Sequence, residues 1–137
     1  MERRYLLDTN TASYIIKGSH PPVDRRLARV PMERIAISTV TEGELRFGAA
    51  RRPEATRLHS LIADFVLRVT ILPWDSDAAR QYGELRAELE DRGQPIGNFD
   101  AMIAAHALAL GATLVTSDRA FGRIGRLKVE DWTKRSE

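Results

Sequence analysis

At 137 residues, 43% hydrophobic and 29% charged, the chain has the size and balance of one globular domain with a sizeable core, expected to span residues 1–137. It has no cysteine, which excludes disulfides, thiolate metal sites and cysteine nucleophiles, and no apolar run approaches the ~18 residues of a membrane-spanning helix. The net charge of +2 is too small to argue for nucleic acid by itself, although only Lys17, Lys128 and Lys134 of the 21 basic residues are lysine, and arginine is the better fork for phosphate.

In chain order, residues 4–7 read as a buried strand, followed by a helix over 11–17 that Gly18 ends. Pro21 and Pro22 open a short helix carrying Arg25, Arg26 and Arg29. A second strand covers 34–38 and a helix 40–51. Pro53 stands where another helix can begin, and Leu58, Leu61, Ile62 and Phe65 give it an apolar stripe at helical spacing. A third strand covers 69–72. A helix over 75–92 turns Tyr82, Leu85 and Leu89 inward and stops at Gly93. A helix over 98–110 stops at Gly111, and strands follow at 113–116 and 127–129. Strands alternate with helices, they are short apolar runs, and no Asn-Gly or Asp-Gly hairpin joins two of them. The expected class is α/β, with crossover helices covering a mostly parallel sheet. The apolar stretch Tyr5-Leu6-Leu7 is too short for a signal peptide, which together with the absent cysteine fits a cytoplasmic protein.

Asp8, Glu44, Asp100 and Asp118 border apolar segments, where carboxylates are uncommon. Each also has a plainer reading. Asp8 can cap the first helix, although Thr9 and Asn10 can do so too. Thr41 with Glu44 has capping-box spacing, but so does Thr39 with Glu42. Arg46 lies at i+4 from Glu42, while Glu44 shares its side with Val40, Phe47 and Gly48, so Glu42 is assigned to the cap and Glu44 to the interior. Asp100 follows an expected N-cap, Asn98, and is favoured there by the helix dipole, yet its neighbours Ile103 and Ala104 are apolar, so it is expected to be buried at the mouth of a buried helix. Asp118 can cap the turn 119–122.

In an open α/β sheet, ligands bind past the carboxyl ends of the strands, which is where these acids are expected. Converging carboxylates repel and suppress ionisation of one another, so a fold gains nothing from them without a cation. A hard divalent ion, Mg²⁺ or Mn²⁺, resolves the repulsion. His20, His59 and His106 have no zinc-site spacing, and His106 is expected in the core. There is no P-loop and no Gly-x-Ser-x-Gly elbow.

Four segments then carry a resemblance. Leu7-Asp8-Thr9-Asn10, the stretch from Ser38 to Ala49 containing Glu44-Leu45, Asn98-Phe99-Asp100-Ala101-Met102-Ile103, and Val115-Thr116-Ser117-Asp118-Arg119 resemble, in order, the motifs of the PIN-domain ribonucleases and of their VapC-type toxins. Val129-Glu130-Asp131-Trp132 is similar to the tail of many such toxins. The resemblance implies a three-layer α/β/α PIN-like domain and Mg²⁺- or Mn²⁺-dependent cleavage of RNA, commonly structured RNA such as tRNA, by an activated water. It also implies a homodimer held inactive by a cognate VapB-type antitoxin. Asp8, Glu44 and Asp100 would hold the principal metal, and Asp118 would complete that site or bind a second ion. Thr116 or Ser117 would orient a ligand or water, and Arg119, Arg123 and Arg126 would grip RNA phosphate. The first helix, with Tyr14, Ile15 and Ile16, and the stripe Leu58, Leu61, Ile62 and Phe65 are candidates for the antitoxin groove or for core. Two alternatives remain at this point: a PIN-like domain that binds RNA or a partner without cutting, and a metal-dependent nuclease acting on DNA or in RNA maturation.

Overall fold

A computed structural model describes residues 3–134. The elements are β1 (Tyr5–Leu7), α1 (Thr9–Lys17), α2 (Pro21–Leu27), β2 (Ile35–Ser38), α3 (Thr39–Ala50), α4 (Thr56–Arg68), β3 (Thr70–Leu72), α5 (Ser76–Asp91), α6 (Asn98–Leu110), β4 (Thr113–Val115) and β5 (Val129–Glu130), with 3-10 turns at Met32–Arg34 and Arg119–Arg123. The strands form one sheet in the order β3-β2-β1-β4-β5, every neighbouring pair parallel.

Alternation along the central strands divides the core into two layers. Tyr5, Leu7, Ile35, Ile37 and Val115 point to one face, where they meet Ala12 and Ile16 of α1, Val23 of α2, Leu45 and Ala49 of α3, and Ile62 and Phe65 of α4. Leu6, Ala36 and Leu114 point to the other, under Leu85 and Leu89 of α5 and Ile103, Ala104 and Ala107 of α6. The result is the expected three-layer α/β/α arrangement. Because both faces are covered, Leu6, Leu7, Ile35, Ile37, Leu114 and Val115 are all fully buried. That is why these strands are apolar runs rather than alternating ones. Each such side chain contributes about 1.5–3 kcal/mol.

Both stripes considered for an antitoxin groove belong to the first layer. Ile16, Ile62 and Phe65 are buried in it, and Tyr14, Ile15, Leu58 and Leu61 pack against it partly exposed. Gly111 closes α6 in the left-handed region at φ 64°, a conformation glycine adopts without a Cβ penalty, and this reverses the chain directly into β4. His106 lies in the second layer's helix, 2% exposed, and burial holds its pKa below the usual histidine range despite the opposing pull of Asp75.

Candidate active site

The carboxyl ends of β1 and β4 meet at Asp8. Its backbone N–H donates to Val115 O at 3.0 Å, and the Thr11 hydroxyl donates to the same oxygen at 3.2 Å. The buried Asp8 side chain is the N-cap of α1, with Oδ1 accepting from Thr11 N at 2.8 Å. Of the three caps the sequence leaves open, Asp8 is therefore the one used, and Thr9 and Asn10 are not. Thr9 is used elsewhere: its hydroxyl donates to Glu44 Oε1 at 2.5 Å, tying the start of α1 to α3.

The start of α3 departs from expectation. Ser38 caps it, accepting from Val40 N at 3.1 Å, and Glu42 forms no capping box. Instead Glu42 binds Arg46 at 2.8 Å on the surface, while the Thr39 hydroxyl accepts from Trp74 N at 3.1 Å. The buried face of α3 is Thr41, Leu45 and Ala49. Phe47 is 64% exposed and Gly48 is exposed, so Glu44 lies at a half-buried edge rather than in the interior. Apolar identity at Phe47 misdirected the assignment, because a lone exposed aromatic is compatible with folding.

Asp100 stands in the first turn of α6, whose N-cap is Gly97 rather than Asn98. It is half-buried, not fully buried, and its carboxyl makes no hydrogen bond among the described residues. Its carboxyl is held above the usual carboxylate range, first by desolvation and then by the charges of Asp118, Asp8 and Glu44. The charges of the other three acids therefore all reach Asp100. Asp118 is exposed and also caps the following 3-10 turn, with Oδ1 accepting from Ala120 N at 2.9 Å. Its backbone N–H donates to the buried Thr116 hydroxyl at 3.1 Å, so Thr116 shapes this loop, whereas Ser117 is exposed and bonds to no described residue.

Trp74, which the sequence argument passed over, braces the site. Its indole N–H donates to Met102 O at 2.9 Å and its ring lies edge-on to Tyr82, linking the loop after β3 to α3, α5 and α6. A tryptophan directly after a predicted strand, in Pro73-Trp74-Asp75, is the signal that could have marked it. The basic residues after Asp118 divide. Arg119 is exposed, but Arg123 donates to Pro95 O at 3.1 Å and Arg126 to Glu88 Oε2 at 2.7 Å, both long-range intramolecular bonds.

The PIN domain family profile matches residues 5–127. A tRNA(fMet)-specific endonuclease VapC of Shigella flexneri is 39% identical over 131 residues, covering 95% of this chain and 98% of the relative. The chain belongs to the PIN-domain family of VapC-type ribonucleases. A ribonuclease VapC2 of Rickettsia felis is 37% identical over 132 residues, covering 95% of this chain and 98% of its own. Among solved structures, DNA-bound VapBC from Salmonella typhimurium superposes with a TM-score of 0.88 at 36% identity, covering 96% of this chain and 99% of that one.

PIN-domain ribonucleases of this type are generally metal-dependent, and the donor set here fits that requirement. Asp8, Glu44 and Asp118 each commit one carboxylate oxygen to a protein donor and keep the other, and Asp100 keeps both. No three of the described acids and histidines stand close enough to enclose an ion as they are.

Proposed function

We propose that the chain is a Mg²⁺- or Mn²⁺-dependent endoribonuclease, the toxin of a VapBC-type toxin–antitoxin pair, with Asp8, Glu44, Asp100 and Asp118 as its metal-binding and catalytic acids. The observation that carries the reading is the mutual repulsion at Asp100, whose carboxyl is raised by burial and by all three of the other acids. A fold retains such an arrangement when a cation balances it.

A divalent cation bound there would supply the charge that activates a water and stabilises the leaving oxygen. The protein's own share is placement. Thr11 N–H fixes one oxygen of Asp8 and the Thr9 hydroxyl fixes one of Glu44, so each presents its second oxygen in a defined direction. Trp74 holds the first turns of α6, and with them Asp100, against α3 and α5. Thr116 and the cap at Ala120 set the Asp118 loop at the exposed side, where substrate would enter.

The substrate we infer is a folded tRNA, with tRNA(fMet) the first candidate because the Shigella flexneri relative is named for it. The inferred partner is a VapB-type antitoxin, following the VapBC complexes that the fold matches, and the inferred state is a homodimer in the cytoplasm. No described helix is long and apolar enough to cross a membrane. The test is cleavage of a tRNA(fMet) transcript by purified protein. Activity in Mg²⁺ or Mn²⁺, lost in EDTA and in Asp100→Asn and suppressed by the antitoxin, is expected. Cutting in EDTA, or by Asp100→Asn, would refute the assignment.

A further inference from the structure

Two of the arginines that sequence proximity offered for RNA, Arg123 and Arg126, are engaged within the protein. Another basic group is not. Arg25, Arg26, Arg29, Glu130, Asp131 and Lys134 line a cleft of about 610 Å³ between α2 and the segment that follows β5. Part of this lining is locked. The Arg26 guanidinium lies 5.3 Å from the Trp132 ring centroid and 5.7 Å from that of Tyr5, and it donates to Glu130 Oε1 at 3.2 Å. Glu130 is further bound by Arg3 at 3.0 Å and by the Trp132 indole N–H at 3.0 Å. Glu130 is thus shared by two arginines and the Trp132 indole, and these residues form one wall of the cleft.

Arg25, Arg29 and Lys134 make no ion pair among the described residues. The remaining carboxylate in the lining, Asp131, accepts from Thr133 N at 2.9 Å and from the Thr133 hydroxyl at 2.5 Å. Among the described residues three cations thus face one carboxylate, and their lining carries net positive charge. The cleft is set apart from the acids. Glu130 is in register with Val115, and Val115 with Leu7, the residue before Asp8. The Glu130 backbone therefore stands two strands from Leu7, about 10 Å across the sheet, while the packing of Arg26 on Tyr5, the first residue of β1, sets the cleft toward the amino end of that strand, away from Asp8.

We propose that this cleft is a phosphate-binding subsite that grips the backbone of a folded RNA at a point away from the bond to be cut, through Arg25, Arg29 and Lys134. Guanidinium groups suit phosphate because their planar donors pair with two of its oxygens, and contacts of this kind position a nucleic acid without reading its sequence. The inference rests on the ribonuclease reading above, and its failure can be told apart from failure of that reading.

The test is binding of a tRNA(fMet) transcript to protein carrying Asp100→Asn, which prevents cutting, in Mg²⁺ over a series of salt concentrations. Arg25→Gln with Arg29→Gln should lower the magnitude of the slope of log K against log salt by about 0.7–0.9 for each cation removed. Arg25→Lys with Arg29→Lys should retain the slope, since the charge remains. In an Asp100 background, the Gln pair should raise KM for the transcript and leave kcat unchanged. An unchanged slope in the Gln pair, with wild type cleaving the transcript normally, overturns the subsite and leaves the nuclease intact. An unchanged slope with weakened antitoxin binding assigns the cleft to the antitoxin instead and also overturns it. A wild-type chain that neither binds nor cuts the transcript overturns both readings.

Discussion

Asp8 caps a helix and is proposed to hold a cation, and a pair of substitutions separates the two tasks. Its Oδ1 caps α1 through Thr11 N at 2.8 Å, and its other oxygen is the one proposed to meet the cation. Asparagine caps a helix as well as aspartate does, so Asp8→Asn keeps the first task and loses the second. Alanine loses both. The Thr11 residue is 2% exposed, so its freed N–H would lack water as well as a partner, which places the loss at about 2 kcal/mol rather than the ~1 kcal/mol typical of caps. For a chain of 137 residues, 1 kcal/mol moves Tm by roughly 3–4 °C, so Asp8→Ala should melt roughly 6–8 °C below Asp8→Asn in EDTA. Both variants remove the same charge beside Asp100, so the difference between them isolates the cap. The assay is thermal unfolding by circular dichroism, run alongside RNA cleavage. Asn is expected to melt at or above wild type without metal and to be inactive. Equal Tm values for Asn and Ala would refute the cap argument, and cleavage by Asp8→Asn would refute the ligand argument.

Three further outcomes are expected. Because the folded-state pKa of Asp100 is raised by burial and then by Asp118, Asp8 and Glu44, its ionisation weakens the fold. Metal-free stability should therefore rise as pH falls through that raised pKa and level off below the unfolded value, and Asp100→Asn should lack this component in a denaturant titration at each pH. Thr9→Val removes the donor to Glu44 Oε1 at near-constant shape and should cost about 1.5 kcal/mol, the low end for a bond to a charged group because the site is half-buried; the metal concentration needed for half-maximal cleavage should rise, and an unchanged requirement would count against Glu44 as a ligand. Trp74→Phe keeps an aromatic ring but loses the donor to Met102 O, so it should cost about 1 kcal/mol in denaturant unfolding and lower cleavage by loosening α6; full activity would mean that Trp74 only packs.

The parts of the fold that were legible in the sequence are those that local chemistry decides. Tyr5-Leu6-Leu7 and Thr113-Leu114-Val115 are apolar on both faces because helices cover both, and this alone implies a parallel sheet between two layers. Gly18 and Gly111 end their helices where left-handed residues are needed. The parts that were not legible depend on partners far along the chain. Ser38, Thr39 and Thr41 all suit a helix start, and what separates them is that Trp74, 35 residues away, takes the Thr39 hydroxyl. Arg126 was free in the sequence and is bound to Glu88, 38 residues earlier, in the fold. The site itself was more legible than its surroundings. Asp8 and Asp118 follow strands directly or nearly so, and strand ends converge by topology, whereas the depth of Glu44 and Asp100 depends on how α3 and α6 are turned.

The central claim is that these four acids hold the catalytic cation, and anomalous diffraction from crystals grown with Mn²⁺ tests it most directly. The account predicts an anomalous peak in contact with Asp8 and Asp100, near Glu44 and Asp118, that is absent in Asp100→Asn crystals. A manganese ion bound elsewhere in protein that cleaves RNA, with none at these carboxylates, would contradict it.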